Sequence, residues 1–232
     1  MSVQASGHTV GDSVYQELLR AIYDGRLQPG QRVNDLALAK ELGISRTPVR
    51  EAIQRLRTIG VIEAEANRFT RIAVVGPDQV REHLIVWVAL MHAVVDEVLP
   101  ALPASVPTQM ETQHQQFTRM LDVLATLGMG DEHLAERIER SRDLATTNFA
   151  FFAALVEASV NRPLRAALER AQHVVHLGSL SLPEWVDVSE LARAQARLIT
   201  ALKDSDASTV HAVLDALRDF VVPGAHGTAV TV

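Results

Sequence analysis

The segment GISRTPVREAIQRLRTIGVIEA, residues 43–64, decides the fold of the first part of this chain. Val49, Ile53 and Leu56 recur at helical spacing, so one face of the predicted helix is apolar and suited to a core. The remaining surface is cationic, with arginines at positions 46, 50, 55 and 57. Such a surface either binds an anionic partner or is only solvated, and the flanking sequence decides between the two.

The sequence before this segment predicts a helix followed by a tight turn. The helix begins after Asp12 or Ser13, since either residue is a good N-cap, and Gly25 can end it. Pro29-Gly30 is typical of positions i+1 and i+2 of a type II turn, because proline fixes φ and glycine accepts a positive φ.

The remaining signals complete a winged helix-turn-helix. Asn34 caps a short helix, DLALAKEL, which Gly43 ends, and Ser45 caps the helix over residues 45–59. The segment VIEAEANRFTRIAVV, residues 61–75, alternates on both sides of AEANRF and predicts a β-hairpin. The order helix, turn, helix, helix, hairpin puts the 45–59 helix in the recognition position of a DNA-binding domain.

The charge distribution agrees with DNA binding although the 232-residue chain has a net charge of −6. Residues 1–75 contain ten Lys/Arg against eight Asp/Glu, so the acidic excess lies in the rest of the chain. A clustered basic patch sets the local field regardless of the total charge.

Other features of the composition indicate a cytoplasmic protein. The chain has no cysteine, which excludes disulfides and thiolate sites and fits a reducing compartment. Residues 1–11 lack the pattern of a secretory leader, and the apolar run LIVWVALM, residues 84–91, is too short to span a membrane. We therefore expect no membrane contact.

The second half of the chain predicts a separate all-α domain. Helical patterns fill about 80–100, 107–127, 131–160, 162–178, 187–204 and 206–221, and no strand signal recurs. The predicted organisation is a flexible tail (1–11), a winged helix-turn-helix (12–75), a linker (76–79), an all-α effector-binding and dimerisation domain (80–222) and a second flexible tail (223–232). The apolar helix over 80–100 is a candidate for the core or for a dimer seam.

Two parts of the chain resemble known families. The PG turn and LAKELGISRTPVREAIQRLRTIGVI resemble the DNA-binding domain of GntR-type bacterial transcription regulators over about residues 13–75. FFAALVEASVNRPL and ITALKDSDASTV are similar, more loosely, to motifs of the FadR-type (FCD) effector domain of that family. The resemblance implies a mainly α fold, with a winged helix-turn-helix followed by a helical effector bundle, and a regulator that is not an enzyme.

The helical period and the resemblance place the DNA contacts on the same face. Arginine suits the guanine edge in the major groove, whereas hydroxyls and N-terminal amides suit phosphates. The wing departs from the family, which usually has glycine where this chain has Phe69. The predicted DNA-binding residues are Ser45, Arg46, Thr47, Arg50, Gln54 and, at the wing tip, Asn67 and Arg68.

The metal site of FadR-type domains is predicted to be lost. The resemblance implies an Asp-x-x-x-His pair and two further histidines, and alignment on the two motifs puts Asn148, Phe152, Gln195 and Leu217 at those places. Phe and Leu cannot bind a divalent ion, so we expect no metal there and no other cofactor. An apolar pocket that also includes His92 would then take an uncharged or mainly apolar metabolite. Phe149, Phe151 and Leu155 are on the same predicted helix, and most of them are expected to pack in the core.

His173 and His176 lie three residues apart on one predicted helix face. They could start a two-ligand metal site, but satisfied or surface histidines are the more common outcome. The sequence leaves open whether a metal binds elsewhere in the chain.

The function predicted from the sequence is ligand-responsive transcription regulation, most often repression in this family, by a homodimer on a palindromic operator. Two alternatives remain open: an architectural DNA binder without an effector, and a metal-dependent carboxylate sensor of the same family. An enzyme tethered to DNA is disfavoured, because the sequence has no phosphate loop, no HExxH motif and no nucleophile–base pair. The sequence identifies neither the effector nor the operator.

Overall fold

A computed structural model describes residues 9–65, 68–127, 131–181 and 187–220. The predicted wing-tip residue Asn67 and the predicted C-terminal tail lie outside these ranges. The described elements are, in order, α1 (Val10–Tyr23), α2 (Asp35–Leu42), α3 (Arg46–Thr58), β1 (Ile62–Glu65), β2 (Phe69–Ile72), α4 (Pro77–Val98), α5 (Ser105–Thr126), α6 (Leu134–Ala158), α7 (Arg162–Ser181), α8 (Val188–Lys203) and α9 (Ala207–Ala216). Short 3₁₀ turns follow α4, precede α6 and follow α9.

Helix α1 begins earlier than predicted. Its N-cap is Thr9, whose hydroxyl accepts from the Asp12 backbone N–H at 3.1 Å while the Asp12 carboxylate accepts from the Thr9 N–H at 3.2 Å. Asp12 therefore serves as the third residue of a capping box and not as the cap itself. The predicted tail over residues 1–11 is wrong for residues 10 and 11, which belong to this helix.

The predicted turns of the first domain are confirmed. The Gln31 N–H donates to the Gln28 carbonyl at 3.0 Å, and Gly30 has a φ of 81°, as a type II turn over Pro29-Gly30 requires. Gly43 ends α2 with a φ of 68°, in the left-handed region where a side chain would be strained. The two turns orient α2 and α3 as a helix-turn-helix.

Helix α3 is fixed by its apolar face, as predicted. Val49 and Leu56 are fully buried and Ile53 nearly so, among side chains of α1 and the hairpin. Strands β1 and β2 pair antiparallel with Ile62 opposite Ile72, which lie buried at the base of the wing. This packing leaves the opposite face of α3 exposed.

In the described residues the second domain has six α-helices, α4 to α9, as the sequence predicts. Helix α4 packs against α6, α7 and α9, while α5 packs against α6 and α8. The 3₁₀ turn over Leu217–Phe220 continues α9, where the sequence predicts one regular helix to residue 221. The core is almost wholly apolar and includes Met91, Met110 and Phe151, all fully buried.

The predicted linker over residues 76–79 is mostly helix. Helix α4 begins at Pro77, and the Gly76 N–H donates to the Gln79 side-chain oxygen at 3.1 Å, which caps the first turn. Proline favours a helix start because its missing N–H has no partner in the first turn. Val75 is buried before this point, so the connection between the domains is short and packed.

Helix α4 is longer and more apolar than the run seen in the sequence. With the 3₁₀ turn it covers Pro77–Ala101, and an 18-residue window within it has a mean hydropathy of 1.8, which would allow a membrane span by length and composition alone. Its buried side chains, such as Trp87, Met91 and Val95, face the other helices of the bundle. Ile85 and Val86 remain about half exposed on another face. The helix is both a core element and the carrier of an exposed apolar stripe.

Candidate nucleic-acid interface

The N-terminal end of α3 presents polar groups to solvent. Ser45 occupies the N-cap position, as predicted, but its hydroxyl makes no capping hydrogen bond. Arg46, Thr47 and Arg50 are exposed beside it on the first turns, and Gln54 follows one turn later. The N-terminal amides and the uncommitted Ser45 hydroxyl form the kind of surface that binds a phosphate oxygen.

One carboxylate shapes the electrostatics of this face. Asp35, the first residue of α2, accepts a hydrogen bond from Arg46 Nη2 at 2.9 Å and lies 4.0 Å from Arg50 Nε. The hydrogen bond from Arg46 is the main cause that lowers the pKa of the Asp35 carboxyl, so this group is ionised at neutral pH. Arg46 is thereby oriented, while the Arg50 side chain stays 73% exposed.

A groove runs beside the exposed face of α3 toward the base of the wing. Its volume is about 770 Å³. It is lined by Asp35, Arg50, Glu51, Ile53, Gln54, Arg55, Arg57 and Thr70. The groove joins two of the predicted contact residues, Arg50 and Gln54, to the hairpin.

The other arginines of α3 have different roles. The Arg55 guanidinium donates to Asp12 at 2.6 Å and lies 4.1 Å from the centre of the Tyr15 ring, so it ties α3 to α1. Arg57 donates to the Gln54 side-chain oxygen at 3.1 Å. The basic pattern in the sequence therefore divides into an outward pair, Arg46 and Arg50, and a structural residue, Arg55.

The wing holds its arginines by ion pairs. Arg68 pairs with Glu65 at 2.8 Å across the hairpin end, and Arg71 pairs with Glu63 at 2.5 Å. Arg71 also lies over the Phe69 ring, 4.4 Å from its centre. Phe69, the departure from the family pattern, thus packs under a cation, and Arg68 remains exposed at the tip.

Comparison with known proteins identifies the first domain. Residues 11–72 match the model of the family described as bacterial regulatory proteins, gntR family. The N-terminal domain is a GntR-family DNA-binding domain. The match covers the helix-turn-helix and the wing, as the resemblance in the sequence predicts.

Longer similarities extend into the helical domain. The chain is 26% identical over 162 residues to the uncharacterised regulator YdhC of Bacillus subtilis, covering 70% of this chain and 66% of YdhC. It is 38% identical over 64 residues to a probable D-xylose utilization operon transcriptional repressor of Paenarthrobacter nicotinovorans, covering 28% of each chain. The aligned part is thus less than two thirds of either relative. Both are transcriptional regulators by name, in agreement with the prediction that this chain is not an enzyme.

The whole fold has a counterpart among solved structures. Escherichia coli McbR/YncC superposes with a TM-score of 0.70 and 22% identity over 91% of this chain and 94% of that protein. This similarity confirms the architecture of a GntR domain followed by a helical domain.

In the helical domain, two predicted pocket residues are in direct contact. The Gln195 side-chain amide donates to Asn148 Oδ1 at 3.0 Å, and Gln195 Oε1 lies 3.1 Å from His114 Nδ1. Since Gln Oε1 can only accept, His114 donates through Nδ1. Gln195 is 1% exposed, so this short polar chain enters an otherwise apolar core.

Sequence reasoning missed His114. Its neighbours in TQHQQF, residues 112–117, are mostly polar, and it belongs to no recognisable motif. Its spacing from Met110 and Phe117, four residues before and three after, could have placed it on the inward face of α5.

The other predicted pocket residues divide between two places. Phe152 is 2% exposed, and its ring meets the Trp87 ring edge to face at 4.9 Å, one helical turn from Asn148. Leu217 is buried in the same core. His92 instead lies between α4 and α9, beside His211 and with its Nε2 3.1 Å from Asp215 Oδ1, and not in the Asn148–Gln195 contact.

The predicted aromatic helix also serves the domain interface. Phe151 and Leu155 belong to the helical core, as expected, but Phe149 packs with the GntR domain cluster. Its ring lies 4.5 Å from the His176 ring, and the His176 ring lies 3.8 Å from the Tyr23 ring of α1. Helix α6 therefore has one face toward each domain.

His173 and His176 are satisfied histidines at this interface, as the common outcome of the sequence pattern predicts. The Tyr23 hydroxyl hydrogen-bonds His173 Nδ1 at 2.5 Å, while His173 Nε2 faces the Tyr15 hydroxyl at 3.4 Å and Glu169 at 3.5 Å. The Glu169 carboxylate can only accept, so Nε2 carries the ring proton and Nδ1 accepts from the Tyr23 hydroxyl. Burial raises the pKa of both tyrosines, that of Tyr15 to about 12, so both hydroxyls keep their protons at neutral pH.

His176 is held in its neutral form. Burial, with the nearby His173 as a smaller cause, lowers the pKa of His176 to about 3. Its Nε2 faces the Thr146 hydroxyl at 3.4 Å. Within the described ranges, no group of three or more His, Asp or Glu side chains is arranged around a common metal position. The absence of a metal at Asn148, Phe152, Gln195 and Leu217 stays a prediction.

Proposed function

We propose that this chain is a bacterial transcription regulator of the FadR-type (FCD) branch that binds a palindromic operator as a homodimer. The observation that carries the proposal is the exposed face of α3. Ser45, Arg46, Thr47 and Arg50 stand together at the start of the recognition helix, while Val49 and Leu56 fix that helix to the core.

Arg50 is the residue that contacts the DNA bases directly. Its guanidinium is the more exposed of the outward pair and lies at the limit of ion-pair distance from Asp35. It can therefore reach guanine O6 and N7 in the major groove. Ser45, Thr47 and the helix N-terminus hold the phosphates, and Arg68 follows the backbone from the wing.

Two copies are needed for specific binding, because one winged helix buries little DNA surface. The exposed apolar stripe on α4 supports a second copy of this chain as the partner. Ile85 is 49% exposed and Val86 is 50% exposed, and Ala89 and Ala93 continue the stripe at helical spacing. An isologous contact between two α4 helices would cover it.

The effector is an uncharged or mainly apolar metabolite bound beside Asn148 and Gln195. The Trp87 indole N–H is buried without a hydrogen-bond partner among the described residues, one ring contact from Phe152. An effector carbonyl or ether oxygen would satisfy this donor. The described side chains of the core around this point, such as Phe152 and Leu155, are apolar, which suits an uncharged ligand.

Signal transmission uses α6. Asn148 faces Gln195 in the helical core, and its neighbour Phe149 packs on His176, which stacks on Tyr23 of the GntR domain. An effector that shifts this segment of α6 changes the position of α1 against the helical domain. Regulation requires that the effector bind the conformations with the two α1 positions with different affinity. We place the protein among repressors, like the Paenarthrobacter relative by its name.

A binding titration tests the DNA-binding proposal. A duplex selected from random sequence by the wild-type protein is titrated by fluorescence anisotropy at several salt concentrations. Arg50→Ala should weaken binding about 5- to 150-fold per half-site, the range for one lost bidentate base contact. The control is Arg197→Ala, which removes an exposed arginine of α8. Equal affinity of the Arg50 variant and the control would overturn the proposal.

A further inference from the structure

A pair of histidines lies at the seam between α4 and α9, away from the DNA-binding face and from the Asn148–Gln195 contact. His92 Nδ1 and His211 Nδ1 are 2.5 Å apart. The ring centres are 4.7 Å apart and the ring planes differ by 26°. The two Nδ1 atoms therefore lie close to the line between the ring centres. The two rings point their Nδ1 atoms at each other.

Two carboxylates occupy the far side of the rings. His92 Nε2 is 3.1 Å from Asp215 Oδ1, and His211 Nε2 is 3.0 Å from Asp96 Oδ1. An ionised carboxylate only accepts hydrogen bonds, so both Nε2 atoms carry the ring proton.

This tautomer leaves two lone pairs directed at each other. A neutral imidazole with its proton on Nε2 has an unprotonated Nδ1. Two such nitrogens at 2.5 Å repel unless a cation lies between them. The cation is either a shared proton or a metal ion, and the surrounding groups favour the metal.

A carboxylate–histidine–metal chain is the usual construction of a histidine metal site, in which the second ring nitrogen donates to a carboxylate. Here the chain occurs twice, from Asp215 through His92 and from Asp96 through His211. We propose that His92 and His211 bind a divalent transition-metal ion of the zinc class between their Nδ1 atoms.

The geometry allows this ion with a small movement. Zinc–nitrogen bonds are about 2.0–2.1 Å long, so tetrahedral binding needs the two nitrogens about 3.3 Å apart. The His92 side chain is 25% exposed and the His211 side chain 29%, which leaves room for the rings to rotate. Within the described ranges no third side chain joins them, so water completes the coordination. The ion would clamp the last α-helix of the bundle to α4.

Isothermal titration of tag-free, chelator-treated protein with zinc chloride tests the site. We expect one ion per chain. His92→Gln and His211→Gln should each weaken binding at least 100-fold. Asp96→Asn should weaken it about 10- to 100-fold, the usual loss for an outer carboxylate, without removing it. A graded response of this kind distinguishes an orienting carboxylate from a folding defect.

Matched controls exclude other histidines. His83→Gln changes a histidine on the same helix whose Nδ1 hydrogen-bonds the Gln79 carbonyl, and it should leave zinc binding unchanged. Zinc should also raise the melting temperature of the wild type and of this control, but not of His92→Gln. A double variant of His92 and His211 that still binds zinc would assign the ion to other histidines, such as His8 or His226, and overturn the proposal. Wild-type protein that binds no zinc would leave the shared proton as the cation and overturn it as well.

Discussion

Tyr23 of the GntR domain stacks on His176 of the helical domain, with ring centres 3.8 Å apart. The same tyrosine hydrogen-bonds His173, so one side chain of α1 contacts both histidines of α7. The two domains therefore share a packed, partly polar interface. A shift of the side chains in one domain alters the contacts of the other.

Loss of the Tyr23 hydroxyl should destabilise the folded chain. Tyr23→Phe leaves the buried His173 Nδ1 without its donor, which costs about 1–3 kcal/mol for an unsatisfied buried group. Urea unfolding measures this loss. The matched control is Tyr15→Phe, since the Tyr15 hydroxyl is 3.4 Å from His173 Nε2, against 2.5 Å for Tyr23. A larger loss in the control would contradict the assignment of the hydrogen bonds.

Stability should fall as the pH drops from about 6.5 toward 5. The folded-state pKa of His176, about 3, is below its ordinary value, so in this range the unfolded chain binds the additional proton. One such group contributes a slope of up to about 1.4 kcal/mol per pH unit. Carboxyls with lowered pKa values, such as Asp12 and Glu169, add to the loss only at lower pH. Urea titrations at several pH values give the slope, and His176→Phe, which has no titratable ring, should reduce it.

Removing the Asp35 carboxylate should strengthen non-specific DNA binding. Asp35→Asn frees Arg46 and Arg50 from a negative neighbour, and an exposed pair of this kind is worth up to about 1 kcal/mol, or roughly fivefold in affinity. Anisotropy on a random duplex at low salt measures the change. Asp78→Asn is the control, because it removes a first-turn acid of α4 that pairs with Arg81. Equal behaviour of the two variants would mean that Asp35 does not influence the DNA-binding face.

A charge on the exposed apolar stripe of α4 should separate the proposed dimer. Val86→Glu would bury a carboxylate without a partner in the proposed contact between two α4 helices, which costs several kcal/mol. Sedimentation velocity should show monomers, and operator affinity should fall with the loss of the second half-site. Val123→Glu places the same charge at a valine of α5 that is 46% exposed. A Val86→Glu variant that stays dimeric would show that the dimer contact lies on another face of the chain.

Local signals in the sequence predicted most of the architecture. The six helices of the second domain follow from apolar periodicity, and Gly30 and Gly43 adopt the positive φ that their turns require. The contact between Asn148 and Gln195 joins two positions that the motif spacing had grouped. These features depend on neighbouring residues or on a known pattern, so sequence reasoning reaches them.

Long-range pairs could not be predicted in the same way. His92 and His211 are 119 residues apart and belong to no motif, so only the packing of α4 against α9 brings them together. Phe149 was grouped with aromatics expected in the core of the helical domain, but it packs with the buried cluster of the GntR domain. The predicted linker over residues 76–79 is mostly wrong, because Gly76-Pro77 can either end an extended segment or start a helix.

The capped start of α4 at Gly76 limits the operators that the protein can recognise. No free tether separates β2 from the helix that carries the exposed stripe, and Val75 is buried between them. In the proposed dimer each winged helix would therefore be fixed to its own half, and the protein would set the distance between the two recognition helices. We expect a single half-site spacing to be tolerated, so that one inserted base pair rotates the second half-site out of reach. Genomic sites should then be recognisable by their spacing as much as by their bases.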